Sequence, residues 1–337
     1  MMDQQARHII TWFAVLSVFA VLSFWARPLI PVDETRYISV AWEMWLRGDY
    51  LVPFKNGLPY SHKPPLLFWM INLGWGVFGV SEWWPRVLPS LFSFASLLLT
   101  LLVAKRLWPE QPRIAWLAPG LLLSTLLWLF FSTAVMFDIM LAFWTLVGVL
   151  GLLRALAQER FGWTLLVLSL AAGTLTKGPV ILLHVLPLAA LAPWWSDALG
   201  KGRYAAWYGR VLLSLLVAVC LVLMWAIPAA LHGGSVYANE IFWGQTAGRM
   251  SKSFAHKRDW WWYLPVLPVI LFPWLFWPAT WKGVIRLARQ GRDWRTRMLL
   301  AWLLPVFLAF WLISGKQVHY LLPLFPAFAL LLSRGLQ

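Results

Sequence analysis

The feature that most limits what this chain can become is its series of long apolar runs. A stretch of about 20 such residues matches the thickness of bilayer hydrocarbon when it is helical. Ten candidate spans can be read, at roughly 9–26, 84–104, 114–134, 137–155, 161–176, 179–196, 211–231, 263–281, 298–314 and 320–333. Charged residues make up 12% of the chain and hydrophobic ones 61%, whereas a soluble domain carries roughly 25% charged residues. The expected fold is therefore an all-α polytopic membrane protein, one transmembrane domain over residues 1–337. The first run exceeds the h-region of a signal peptide and lacks a small-x-small cleavage site, so it is expected to stay as an anchor. The single cysteine, Cys220, lies inside an apolar run and gives redox chemistry no support.

The formal charge is +15. On a soluble protein that excess would point to nucleic acid. Here the basic residues flank the apolar runs, as expected for loops facing the cytoplasm and anionic headgroups. With the N-terminus placed inside, the inner loops hold sixteen basic and five acidic residues and the outer segments twelve and eight. The block 282–297, with six basic residues, weighs most. Two outer segments are then conspicuous: a long one at 27–83 and one at 232–262 rich in His, Lys, Arg and Trp. Long connections tend to be functional. Paired and tripled tryptophans near span ends fit interfacial belts.

The first outer segment opens on Pro31-Val32-Asp33-Glu34-Thr35-Arg36-Tyr37. Ile38, Trp42 and Trp45 recur at helical spacing, so a helix over about 35–46 is expected, lying in the membrane surface and ended by Gly48-Asp49. Asp33 then stands where that helix begins. It is either an N-cap or a carboxylate at the membrane surface able to act as a base. Further on, Asn56-Gly57 marks a turn, and Pro64-Pro65 stiffen the backbone after His62-Lys63. An ammonium held there suits a lipid phosphate, and the competing reading is a snorkelling lysine. A second, partly embedded helix is expected over 66–78.

The ordered run Asp33-Glu34-Thr35-Arg36-Tyr37, Gly48-Asp49-Tyr50-Leu51-Val52-Pro53, Asn56-Gly57, Pro59-Tyr60 and Lys63-Pro64-Pro65 resembles the first periplasmic loop of the aminoarabinose transferase (ArnT-like) branch of the protein O-mannosyltransferase superfamily, of GT-C type. Phe137-Asp138, Thr176-Lys177-Gly178-Pro179, the segment from His256 through Trp261 to Trp274, and Ser314-Gly315-Lys316 with Tyr320 and Pro323 extend the resemblance over nearly the whole chain. Family members usually carry an acidic residue before Lys-Pro-Pro, where this chain has His62. They also continue further, with more spans and a soluble periplasmic domain, so a short variant or a fragment is expected here.

The resemblance implies an inverting glycosyltransferase of the bacterial inner membrane with a periplasmic active site. Its donor would be a polyprenyl-phosphate sugar, its acceptor an envelope lipid such as lipid A, a glycan or a protein. Asp33 and Asp138 are the catalytic candidates, with Arg36, Tyr37, Tyr60, Lys63, Lys177 and Tyr320 as candidates for holding sugar or phosphate. Arg grips phosphate as a fork and Lys as a point charge. Ionisable groups at the ends of apolar spans are functional by default, although an ion pair between Asp138 and Lys177 is the plainer alternative. His62 and His256 are candidate ligands for a divalent cation, zinc or magnesium/manganese, despite the lack of metal-type spacing. Two other readings compete: a transporter or flippase of lipid-linked sugar, and a non-catalytic scaffold. A transporter should show an internal repeat and polar mid-membrane breaks, and neither is visible.

Overall fold

The computed structural model describes residues 4–248, 257–290 and 293–337. It is helical almost throughout, its one described sheet being a two-stranded hairpin, β1 (Phe54–Lys55) against β2 (Leu58–Pro59). The described helices are α1 (Gln4–Ala26), α2 (Asp33–Arg47), α3 (Leu66–Phe78), α4 (Trp83–Leu107), α5 (Pro112–Leu123), α6 (Leu126–Phe131), α7 (Phe137–Leu156), α8 (Gly162–Lys177), α9 (Val180–Ala190), α10 (Ala192–Trp195), α11 (Tyr204–Asn239), α12 (Tyr263–Ile270), α13 (Pro278–Gln290), α14 (Trp294–Leu312) and α15 (Phe325–Gly335).

Six helical segments among the described residues are long and apolar enough to cross a bilayer. They correspond to the expected spans at 9–26, 84–104, 137–155, 211–231, 298–314 and 320–333. The other four expected spans are helical but broken or short. The 114–134 stretch divides at Ser124-Thr125 into α5 and α6, and 179–196 divides at Leu191 into α9 and α10. The 263–281 stretch is interrupted around Pro273, where the ring removes a backbone donor. The fourth, α8, has 16 residues.

Helices α7 and α8 form a close antiparallel hairpin. A Cβ on Gly162 would lie 2.5 Å from the Ala155 nitrogen, and one on Gly151 would lie 2.9 Å from the Gly162 carbonyl oxygen. Glycine at both places lets the backbones approach, and so aligns the start of α7 with the end of α8. A large apolar core joins α1, α4 to α12, α14 and α15. A smaller core gathers Tyr37, Val40, Ala41 and Met44 of α2 with Leu67, Phe68 and Ile71 of α3, and with Leu88, Val135, Phe137 and Met140. That second core seats the 27–83 segment on the start of α7.

The structure adds one detail to the expected surface helix. Helix α2 does form and does end at Gly48, whose φ of 63° is the left-handed cap that glycine favours. Its buried stripe, however, is Glu34, Tyr37, Val40, Ala41 and Met44. Trp42 and Trp45 sit on the flank, edge-on to Trp75 of α3. The partner across from α2 decides which of two apolar faces is covered.

Candidate active site

The first turn of α2 divides two adjacent carboxylates between structure and site. Glu34 is buried. Its carboxylate pairs with Arg27 at 2.5 Å and accepts from the backbone nitrogens of Ile30 and Val135, both at 2.7 Å. Arg27 also donates to the Thr133 carbonyl at 2.8 Å. Arg86 donates in turn to the Arg27 carbonyl at 2.8 Å. This clamp ties the start of α2 to the segment that leads into Phe137-Asp138.

Asp33 does not cap its helix. The capping position is Val32, and no side chain caps the turn. Instead Asp33 Oδ1 takes the Arg36 guanidinium and, at 3.2 Å, the Tyr37 hydroxyl. Both partners use Oδ1, and Oδ2 accepts no hydrogen bond among the described residues. The side chain is 44% exposed, so one oxygen is held while the carboxylate still reaches solvent. Arg36 also donates to the Tyr37 hydroxyl at 3.2 Å. Burial, together with the Asp33 charge, pushes the Tyr37 phenol up, so it stays protonated and can donate.

Phe137, itself buried, is the ring on which these groups meet. Tyr37 meets it edge-on at 4.8 Å between centroids, and the Lys63 ammonium lies 5.5 Å from its ring centre. The next residue, Asp138, is almost completely buried and forms an ion pair with Lys177 at the end of α8. The plainer of the two sequence alternatives is therefore the contact that forms. Lys177 in turn lies 4.6 Å from the centre of the Tyr320 ring. Tyr60 is buried beside His62 and within electrostatic reach of Arg36 and Tyr37.

One residue of this cluster had no assigned role in the sequence. His319 packs against Tyr320 and Phe131 and lies within electrostatic reach of Asp138, Lys177, Lys63 and Asp33. Its neighbour Tyr320 was the only signal available. Asp33, Arg36, Tyr37, Tyr60, Lys63, Asp138, Lys177 and Tyr320 thus share one region, drawn from α2, the following loop, α7, α8 and the segment before α15. Beside it opens an apolar cavity of about 260 Å³. Ser61, His62, Pro64 and Lys177 stand at its polar end, and Ala218, Val222 and other residues of α8 and α11 form its walls.

The metal expectation has one described ligand. His62 lines the cavity, His256 lies outside the described residues, and no group of three metal-ligating side chains occurs among the described residues. The described residues therefore do not build a metal site of the usual three-ligand kind.

The fold and site define a class: a helical, polytopic membrane protein that gathers carboxylates and cations beside an apolar cavity. The family model for dolichyl-phosphate-mannose-protein mannosyltransferase (PMT) matches residues 10–233, and the chain belongs to that family. Among curated relatives it is 33% identical, over 90% of its own length and 55% of the relative's, to an undecaprenyl phosphate-alpha-4-amino-4-deoxy-L-arabinose arabinosyl transferase of Pseudomonas fluorescens. To the protein of that description from Edwardsiella ictaluri it is 30% identical over 98% of this chain and 60% of the relative. The crystal structure of ArnT from Cupriavidus metallidurans bound to undecaprenyl phosphate superposes with a TM-score of 0.81 at 22% identity, covering 97% of this chain and 59% of that one. An oligosaccharyltransferase from Archaeoglobus fulgidus gives 0.57 at 13% identity, covering 96% and 50%. The chain spans somewhat over half the length of the curated relatives it matches.

Proposed function

We propose that this protein is a glycosyltransferase that moves a sugar from a polyprenyl-phosphate donor to an envelope acceptor, with inversion at the anomeric carbon. The acceptor oxygen forms a bond to that carbon while its bond to the phosphate oxygen breaks and the electron pair leaves with the lipid phosphate. The acceptor's proton passes to Asp33 Oδ2. Arg36 and Tyr37 hold the other oxygen of that carboxylate and fix its direction. Lys63 and Lys177, with Arg36, offset the charge that builds on the departing phosphate. Asp138 positions Lys177, and Tyr60 and Tyr320 hydrogen-bond sugar or phosphate. The apolar cavity takes the first part of the prenyl tail.

The observation that carries this reading is the convergence of Asp33, Lys63 and the Asp138–Lys177 pair around Phe137, at the polar end of an apolar cavity. The curated relatives are named as transferases of an undecaprenyl-phosphate-linked sugar, which supports the donor class. Following the basic loops, we place the N-terminus in the cytoplasm, α2 and α3 at the outer membrane–water boundary, and the site on the periplasmic side of a bacterial inner membrane. A divalent cation on His62 and His256 belongs to the same proposal, and elemental analysis of the purified chain tests it. The test of the function feeds isotopically labelled polyprenyl-phosphate sugars to membranes containing the chain. Mass spectrometry should find the label on a lipid, glycan or protein. No gain of label above membranes lacking the chain would overturn the reading.

A further inference from the structure

Helices α7, α8 and α11 carry a second cavity at their other ends. Seventeen residues separate Asp138 from Ala155 on α7, so this cavity lies about 25 Å along the helix from the candidate active site. Its volume is about 370 Å³, and its lining includes Glu159, Trp163, Arg203, Ala206, Trp207 and Arg210. Glu159 is neutralised by two arginines, Arg106 and Arg154. Arg203 and Arg210 have no carboxylate partner among the described residues. Arg203 makes only a long 3.4 Å contact to the Ala198 carbonyl, and Arg210 lies 6.0 Å from the centre of the Trp163 ring. The cavity is therefore basic and walled by indoles, and the two arginines that line it lie seven residues, about two helical turns, apart along the chain.

We propose that this cavity binds a phosphate group. Two guanidinium forks reaching it from separate turns are both satisfied by an anion with oxygens on several sides, which phosphate is and a planar carboxylate is not. The arrangement favours the headgroup of an anionic phospholipid over free phosphate. Trp163 and Trp207 meet at 5.2 Å between centroids, their planes tilted by 59°, beside the arginines, a place that indoles favour at headgroup depth. One turn further along α11, Leu212, Leu213 and Leu216 are exposed, an apolar flank on which acyl chains can lie. Neither the residues nor the ligand take part in sugar transfer, so this site stands or falls apart from the proposed activity.

Native mass spectrometry of the full chain, released from detergent with phosphatidylglycerol, phosphatidylcholine or inorganic phosphate, tests the assignment. The expected result is a retained phosphatidylglycerol adduct, with at least tenfold less phosphatidylcholine bound. Arg203→Gln with Arg210→Gln should lower that adduct at least tenfold. Ala206→Trp, which fills the cavity and keeps both arginines, should do the same. Lys282→Gln with Arg286→Gln, on the exposed basic face of α13, should leave it unchanged. Retention of inorganic phosphate, sensitive to the same variants, would support the site with free phosphate as its source. Adducts that survive both cavity variants, or that fall equally with the α13 variants, would overturn it.

Discussion

Two neighbouring acids, Asp33 and Glu34, show how much one residue of helical rotation decides. A step of about 100° sends Glu34 into the protein against Arg27 and two backbone nitrogens, and leaves Asp33 partly exposed beside Arg36 and Tyr37. Their substitutions should therefore fail differently. Asp33→Asn keeps the shape but removes the base, so transfer should fall by roughly 10²–10⁴-fold with unchanged thermal unfolding, measured as label transferred per mole of folded protein. Near-wild-type turnover would remove Asp33 from the mechanism. Glu34→Gln leaves Arg27 without its counter-charge, and breaking a buried pair from one side costs about 3 kcal/mol. Its signature should be a lowered unfolding midpoint, and activity should fall only as folded protein is lost. Lys63→Ala should weaken use of the lipid donor more than use of the acceptor, which a KM measured for each substrate separates. The candidate residues of the polar cluster were legible in the sequence because ionisable groups beside apolar runs are rare. Glu34's structural duty was not, since nothing local says which of two adjacent acids turns inward. His319 needed the packing of Tyr320 and Phe131 to bring it to the same place.

At the level of elements, the α7–α8 hairpin sets the distance between the two halves of the polar cluster. Asp138 begins one helix and Lys177 ends the other, so their pairing depends on how closely the backbones run. The Gly162 contact with Ala155 is where a methyl group has no room. Gly162→Ala should cost about 1–3 kcal/mol by overpacking and shift α8 along α7. If the hairpin sets the site, turnover in the remaining folded protein should also fall, and a variant that loses stability but keeps full turnover would separate the two. Six of the ten expected spans were legible as unbroken apolar helices among the described residues, because a bilayer demands length and apolarity whatever the packing. Breaks at Ser124-Thr125 and Leu191 were less so. A run with the composition of a span can be divided where neighbouring elements satisfy the freed backbone: the Leu126 nitrogen, for instance, bonds the Phe272 carbonyl. The face of α2 that packs on the protein was not legible for a related reason. Both Ile38-Trp42-Trp45 and Tyr37-Ala41-Met44 have helical spacing, and only α3 and α7 choose between them.

At the scale of the whole molecule, α11 joins the loop segment to the apolar cavity. Trp225 donates to the Leu51 carbonyl at 3.0 Å, and His232 Nε2 meets Asp49 Oδ2 at 3.0 Å. Val52 packs with Ala229 and Tyr237. The helix that walls the cavity is thus fastened to the loop that carries Lys63, and Lys63 in turn lies over Phe137. A tail seated along α11 would be held at a fixed depth relative to Lys63 and Lys177, which would present its phosphate to both. Tail recognition and phosphate recognition should then be separable. Ala218 lines the cavity and is 3% exposed. Replacing it with Trp puts a large ring where the tail is expected, distant in sequence from Asp33 and Lys63. KM for a long-chain polyprenyl donor should rise about tenfold, equivalent to roughly 1.4 kcal/mol, and a donor with a one- or two-isoprene tail should be used as well as by the unsubstituted chain. An equal loss with both donors would mean that the substitution disturbs the polar cluster itself. No loss with either would mean that the tail lies outside this cavity, along another face of the helices.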